Sequence, residues 1–211
     1  MKFICLSGFG QKAEVWKEVA SALPDHQVEV AFSYKSEEGF HSFEQWADQV
    51  YQSLQQLDQP YMLVGLSLGG LLALSMADKP LPNCQGMVLS ATPYKLKGNR
   101  AYALQGLIFR VIPAFVFQKW GMNKKEVLDI LKDLSTLDFS QKLAQLPLPV
   151  MVICGSKDWA NLATARDLAA KIPRSRLEIL AGGGHEVNRD CPQEFAALLE
   201  EMVDWVASLQ V

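Results

Sequence analysis

The chain has 211 residues, 49% hydrophobic and 20% charged, which is enough apolar material for a single well-buried globular domain. A formal net charge of −3, with no block of Lys or Arg anywhere, argues against nucleic acid as a partner, because phosphate-backbone binding needs a basic excess. A bilayer span is excluded as well: no run approaches the roughly 18 to 20 continuous apolar residues one requires, and the nearest, 104–117, is interrupted.

The amino terminus, MKFICLSGFG, breaks at glycine after a few apolar residues, too soon for a signal peptide, so residues 3–6 are read as a core strand. From there short apolar runs alternate with helical patterns. A helix is predicted over 13–23, a strand over 27–32, a helix over 43–57, a strand over 61–66 and a helix over 69–77. Further strands follow at 86–90, 149–154 and 176–180, with helices over 162–171 and 193–209. Nearly every strand is followed by a crossover helix, and the strands read as continuous rather than alternating apolar runs. The expected fold class is therefore α/β: a doubly wound, mostly parallel sheet of about six strands with helices on both faces. The segment from about 94 to 146 is too long for a crossover and is read as a helical insertion within the one domain, 1–211. Its stretch 101–120 is rich in large apolar residues, among them Leu104, Leu107, Phe109, Phe117 and Trp120, and 124–134 reads as an amphipathic helix. Two or three helices are expected there, read either as ordinary packing on the sheet edge or as a lid whose inner face lines an acyl pocket, since functional lids are drawn from such long insertions. Four cysteines, Cys5, Cys84, Cys154 and Cys191, form no C-x-x-C pair and fit free thiols of a reducing compartment, so the expected localisation is cytoplasmic.

Between the third strand and its helix lies Gly65-Leu66-Ser67-Leu68-Gly69, a G-x-S-x-G pattern in the context of a nucleophile elbow. The glycines sit where a Cβ would clash, and the serine hydroxyl is held out at the strand's carboxyl end. A phosphate-binding turn is the bland alternative, but GLSLGG supplies neither G-x-G-x-x-G nor a phosphate-loop lysine. A serine needs a base, and three histidines are available. His26 and His41 lie in turns entering other elements and read as solvated loop residues. His185 follows the last strand on the glycine-rich loop GGGHE, at the same sheet edge as Ser67, and is assigned as base. Asp158, after the fifth strand in GSKD, is assigned as the carboxylate that orients it; its bland reading is a helix cap. Asp138 sits in the insertion, and Asp190 follows the histidine and suits a cap for the last helix. The backbone N–H groups of Leu68 and Phe9, the latter on the glycine loop Ser7-Gly8-Phe9-Gly10-Gln11, are the candidate oxyanion donors.

In this order on strand ends, LSGFGQ, VGLSLGG, GSKD and GGGHE resemble the α/β-hydrolase superfamily over nearly the whole chain. The stretches GFGQKAEVWKEV, LVGLSLGGLLAL and LDFSQKLAQLPLPVMVICGSKD resemble its carboxylesterase branch, which includes pimeloyl-[acyl-carrier-protein] methyl ester esterase. Two departures stand out. Ser7 occupies the place where members carry histidine, and the loop over 33–42 is a reduced form of the family's D-x-x-G-x-G-x-S. The resemblance implies a serine hydrolase acting on a small-molecule carboxylic ester or thioester, free or carrier-bound, through an acyl-enzyme, with no metal or organic cofactor. It also covers pyruvate-eliminating lyases of menaquinone synthesis, which place arginine where this chain has Leu71, and non-catalytic ligand sensors on the same fold. The antiparallel hairpin that opens the full family fold has no counterpart here, so the sheet is expected to be all-parallel.

Overall fold

A computed structural model describes residues 1–33, 42–119 and 122–209. The chain runs β1 (Lys2–Leu6), a 3₁₀ turn (Ala13–Trp16), α1 (Lys17–Ser21), β2 (Gln27–Phe32), α2 (Phe43–Gln55), β3 (Tyr61–Leu66), α3 (Leu68–Ser75) and β4 (Cys84–Ser90). Then come α4 (Arg100–Val111), α5 (Ala114–Lys119), α6 (Lys124–Leu134), α7 (Ser140–Leu143), β5 (Val150–Gly155), α8 (Trp159–Lys171), β6 (Ser175–Leu180), α9 (Val187–Asp190) and α10 (Pro192–Ser208). The six strands form one sheet in the order β2-β1-β3-β4-β5-β6, and every pairing among them is parallel.

Side-chain alternation splits each central strand between two cores. Ile4, Leu6, Leu63, Leu89 and Val152 enter the layer beneath α2, α3 and α8, whereas Phe3, Cys5, Val64, Val88 and Ile153 enter the layer beneath α1 and α10. Both faces are buried, so these strands have no polar side, and each fully buried Val, Leu, Ile or Met contributes about 1.5–3 kcal/mol. The edge strands β2 and β6 are covered less completely and keep exposed positions such as Glu29 and Arg176. Helix α2 begins with a reciprocal cap, in which Ser42 Oγ accepts the Gln45 N–H at 3.2 Å and Gln45 Oε1 accepts the Ser42 N–H at 2.9 Å. Its buried residues Phe43, Trp46, Ala47, Val50 and Leu54 recur at helical spacing.

Where two or three helices are expected in the insertion, the described residues form four, α4 to α7, and the apolar stretch 101–120 is split between α4 and α5. Pro113 follows Val111 and Ile112, and its missing N–H and ring clash end α4 before α5 starts at Ala114. Trp120 and His41, together with the rest of 34–41, lie outside the described residues. Order reverses between β1 and β3: β1 is followed in sequence by β2 on one side and paired on the other with β3. In open α/β sheets ligands bind at the carboxyl ends of strands flanking such a reversal.

Candidate active site

Two loops meet at that reversal. After β3 the chain turns into α3 through Ser67, whose φ of 53° and ψ of −108° fall outside the regions ordinary residues populate. Holding a non-glycine residue there costs on the order of 1–3 kcal/mol. The turn is tight enough that a Cβ on Gly65 would lie 2.6 Å from the Gly69 carbonyl oxygen, and one on Gly69 only 2.0 Å from the Leu6 carbonyl oxygen. Helix α3 is thus pressed onto the end of β1. Leu68 opens α3, so its N–H is among the first-turn donors that have no intrahelical acceptor.

After β1 the chain makes a four-residue turn, Gly8 to Gln11, closed by the Gln11 N–H donating to the Gly8 carbonyl at 3.1 Å. Gly10, at φ 77°, supplies the left-handed third position of a type II turn. Planarity of the Gly8–Phe9 peptide then fixes the Phe9 N–H on the side opposite that carbonyl. Ser7, where the resemblance leads one to expect histidine, is fully buried, and its Oγ accepts the Trp16 Nε1–H at 3.0 Å.

Ser67 Oγ lies 3.0 Å from His185 Nε2, and His185 Nδ1 lies 2.8 Å from Asp158 Oδ2. A carboxylate can only accept, so the proton sits on Nδ1, and Nε2 is left to accept the serine hydroxyl proton. Asp158 is 7% exposed. Its burial pushes the carboxyl pKa up, but the hydrogen bonds from His185 and from Asn161, whose Nδ2 donates to both oxygens at 2.9 Å, outweigh burial and hold it below the ordinary value. Asp158 does occupy the N-cap position of α8, yet its side chain makes no cap bond.

The other candidates lie elsewhere. His26 is not simply solvated: its Nδ1 is 3.2 Å from the Met1 amino group and its ring stands edge-on to Phe3 at 5.4 Å, next to the amino end of β1. Asp138 is held by the Ser140 N–H at 3.0 Å and by Lys95 at 3.3 Å. Asp190 does not cap α10; its carboxylate accepts the Gly184 N–H at 2.8 Å and so pins the loop that carries His185. Cys191 stands at the N-cap of α10, with Pro192 in its first turn, so Asp190, the last residue of α9, lies one position too early to cap it.

A cavity of about 620 Å³ opens over Ser67. Its floor includes Phe9, Leu68 and Leu71, and its far wall is built by Tyr102 and Phe109 of α4 with Ile130, Leu131 and Leu134 of α6. The opposite face of α4, with Leu104, Leu107, Ile108 and Val111, is exposed. Among the described residues no three His, Cys, Asp or Glu side chains converge into a metal site.

Sequence reasoning passed over three residues here. Asn161 stands three residues after Asp158 at the start of α8, a spacing that offers only a faint signal. Gln11 and Asn188, both buried, hydrogen-bond to each other across 177 residues and left no local trace.

A family model described as the alpha/beta hydrolase family matches residues 3–198. RutD of Cronobacter turicensis, provisionally named a carbamate hydrolase, is 34% identical over 67 residues, covering 31% of this chain and 25% of that protein. The monoacylglycerol lipase ABHD6 of Bos taurus is 32% identical over 107 residues, 50% of this chain and 29% of that protein. The matched stretches therefore span less than a third of the length of either relative. Among solved structures, a thermophilic esterase from Thermogutta terrifontis superposes with a TM-score of 0.77 at 18% identity, over 98% of this chain and 90% of that one. At that identity the likeness is one of fold.

Proposed function

The chain belongs to the alpha/beta hydrolase family, and from that premise we propose that it is a serine hydrolase that cleaves a carboxylic ester or thioester through an acyl-enzyme. The observation that carries the reading is the unbroken sequence from Asp158 through His185 to Ser67, at 2.8 and 3.0 Å, facing a largely apolar cavity.

Ser67 Oγ attacks the substrate carbonyl carbon while His185 Nε2 takes the hydroxyl proton, a role worth about 10²- to 10⁴-fold in rate. The carbonyl π pair moves onto oxygen. The N–H groups of Phe9 and Leu68 are the donors for that oxyanion, each worth roughly 3 to 4 kcal/mol of barrier. Collapse of the tetrahedral adduct expels the alcohol or thiol, which receives the proton from the imidazolium. Water, deprotonated by the same nitrogen, then attacks the acyl-serine and returns the free acid and Ser67. Asp158 keeps Nδ1 protonated and stabilises the imidazolium.

The apolar lining favours a hydrophobic acyl group or small alkyl ester. Leu71, where pyruvate-eliminating relatives carry arginine, is buried in that lining and supports hydrolysis over elimination. On this reading α4, α5 and α6 form the cover of the pocket within a single domain, and the substrate is a small molecule, free or carrier-bound. No helix of the described residues is long and apolar enough to cross a membrane.

Active-site titration with a fluorophosphonate probe tests the proposal. Wild type should take up one equivalent with loss of p-nitrophenyl ester turnover, and Ser67→Ala should take up none. Equal labelling of the two proteins would overturn the assignment.

A further inference from the structure

Resting on the serine-hydrolase reading, we infer that Gln11 and Asn188 are positioning residues: a buried amide pair that locks the loop carrying the Phe9 N–H onto the loop carrying His185. Gln11 is 3% exposed and Asn188 is fully buried. Gln11 Oε1 accepts the Gly8 N–H at 3.1 Å, and Gln11 Nε2 donates to Asn188 Oδ1 at 3.1 Å. The orientation of both amides follows from one fixed donor. A backbone N–H can only donate, so the Gln11 atom facing Gly8 is oxygen. The nitrogen of the same amide then faces Asn188, which must present its own oxygen. A second contact, Asn188 Nδ2 to Gln11 Oε1, is at the outer limit of 3.5 Å.

The two ends of this chain of bonds are what give it a role. Gly8 immediately precedes Phe9, and Gln11 holds the turn twice, with its side chain on the Gly8 N–H and its own N–H on the Gly8 carbonyl. Both peptide planes flanking Gly8 are therefore oriented by one residue, and the direction of the Phe9 N–H follows from them. At the far end, Asn188 lies three residues after His185, in α9. The donor that would receive the oxyanion and the base that would take the serine proton thus reach each other through two side chains. Burying two primary amides without this geometry would leave polar groups unpaired, and an apolar pair of the same shape, though free of that penalty, would leave the Gly8 N–H without its acceptor.

The test uses the full chain as wild type, Asn188→Leu, Gln11→Met, the double variant and Gln11→Glu. Amide hydrogen exchange followed by NMR reads the Gly8 N–H, and steady-state hydrolysis of p-nitrophenyl butyrate reads kcat and KM. Asn188→Leu removes no bond to Gly8, yet its Gly8 amide should lose about tenfold in protection while the central strands keep theirs. In the same variant kcat should fall about 10- to 100-fold with KM within about twofold, as expected of a small misplacement of catalytic groups. The double variant should be no worse than Gln11→Met alone. Gln11→Glu, which keeps an acceptor for the Gly8 N–H, should recover part of both losses; Asn188→Leu and Gln11→Glu carry the comparison if Gln11→Met does not fold. Unchanged Gly8 protection in Asn188→Leu, or a loss spread evenly over the whole sheet, overturns the inference. If wild type neither turns over esters nor takes up fluorophosphonate, the serine-hydrolase reading fails by itself, and the Gly8 exchange result still decides whether the pair orders this loop.

Discussion

At Asp158 two opposed effects meet, and which one wins decides what the residue can do. Burial alone would push its carboxyl pKa up and favour the neutral form. The donors from His185 and Asn161 reverse this and hold the carboxyl below its usual value of about 3.8, so it is ionised at neutral pH. On the proposed mechanism Asp158→Asn should leave the binding cavity intact and lower kcat by about 10³- to 10⁴-fold, because an amide no longer fixes the imidazole tautomer. Stopped-flow ester hydrolysis measures it, and a loss below tenfold would move the orienting role elsewhere. The same substitution carries a pH signature. A carboxyl whose pKa is depressed on folding contributes stability that is present in full above its unfolded value and is lost as pH falls through the folded one. The excess of wild type over Asp158→Asn in urea unfolding should therefore be constant near neutrality, and should shrink below about pH 4 as Asp158 protonates. A difference that grew on acidification would contradict the direction of the shift. The places of Ser67 and His185 after strands, and of Asp158 between them in the chain, were legible, and the structure brings the three side chains together. Asn161 and Asp190 were not: each secures a neighbour by a side-chain bond that only folded loop geometry decides.

Among the elements, α4 shows how one apolar helix can be divided between two surroundings. Tyr102 and Phe109 point inward to the cavity, and the Tyr102 hydroxyl donates to the Leu131 carbonyl at 3.1 Å, tying α4 to α6. Leu104, Leu107, Ile108 and Val111 face outward, Val111 with 79% of its surface exposed. Composition identified apolar helical material over 101–120 but not which residues line the pocket, since both faces carry large side chains and periodicity finds no single stripe. If the inner face sets acyl specificity, Phe109→Ala opens the wall of the pocket. The ratio of kcat/KM for p-nitrophenyl octanoate over butyrate should rise about tenfold, in line with what one or a few methylenes are worth in such pockets. An unchanged ratio would place the acyl group away from α4. The central strands were read to within two residues because their uninterrupted apolar runs admit one solution, a strand buried on both faces.

For the molecule as a whole, the parallel sheet controls both reactivity and placement. All four cysteines are free and buried, on or beside core strands and helices. Burial pushes the Cys84 thiol up to about 12 and the Cys154 thiol up to about 11, and raises Cys5 and Cys191 as well. Thiolate is the reactive form, so Ellman's reagent at pH 8 should find almost no reactive thiol in the folded protein and four equivalents in urea. A thiol reacting in the native state at the rate of free cysteine would show that one of these sites opens without global unfolding. Taken by itself, the sequence determined the six strands and the longer helices between them, the strand ends that carry Ser67, Asp158 and His185, and their order along the chain, because periodicity and turn chemistry act over a few residues; the break at Pro113 and the short α7 and α9 it did not. Only the tertiary structure decided the order β2-β1-β3-β4-β5-β6, the inward face of α4 and the bond between Gln11 and Asn188. These depend on which strands become neighbours, and contacts between residues 177 apart are set by the assembled sheet and not by any local pattern.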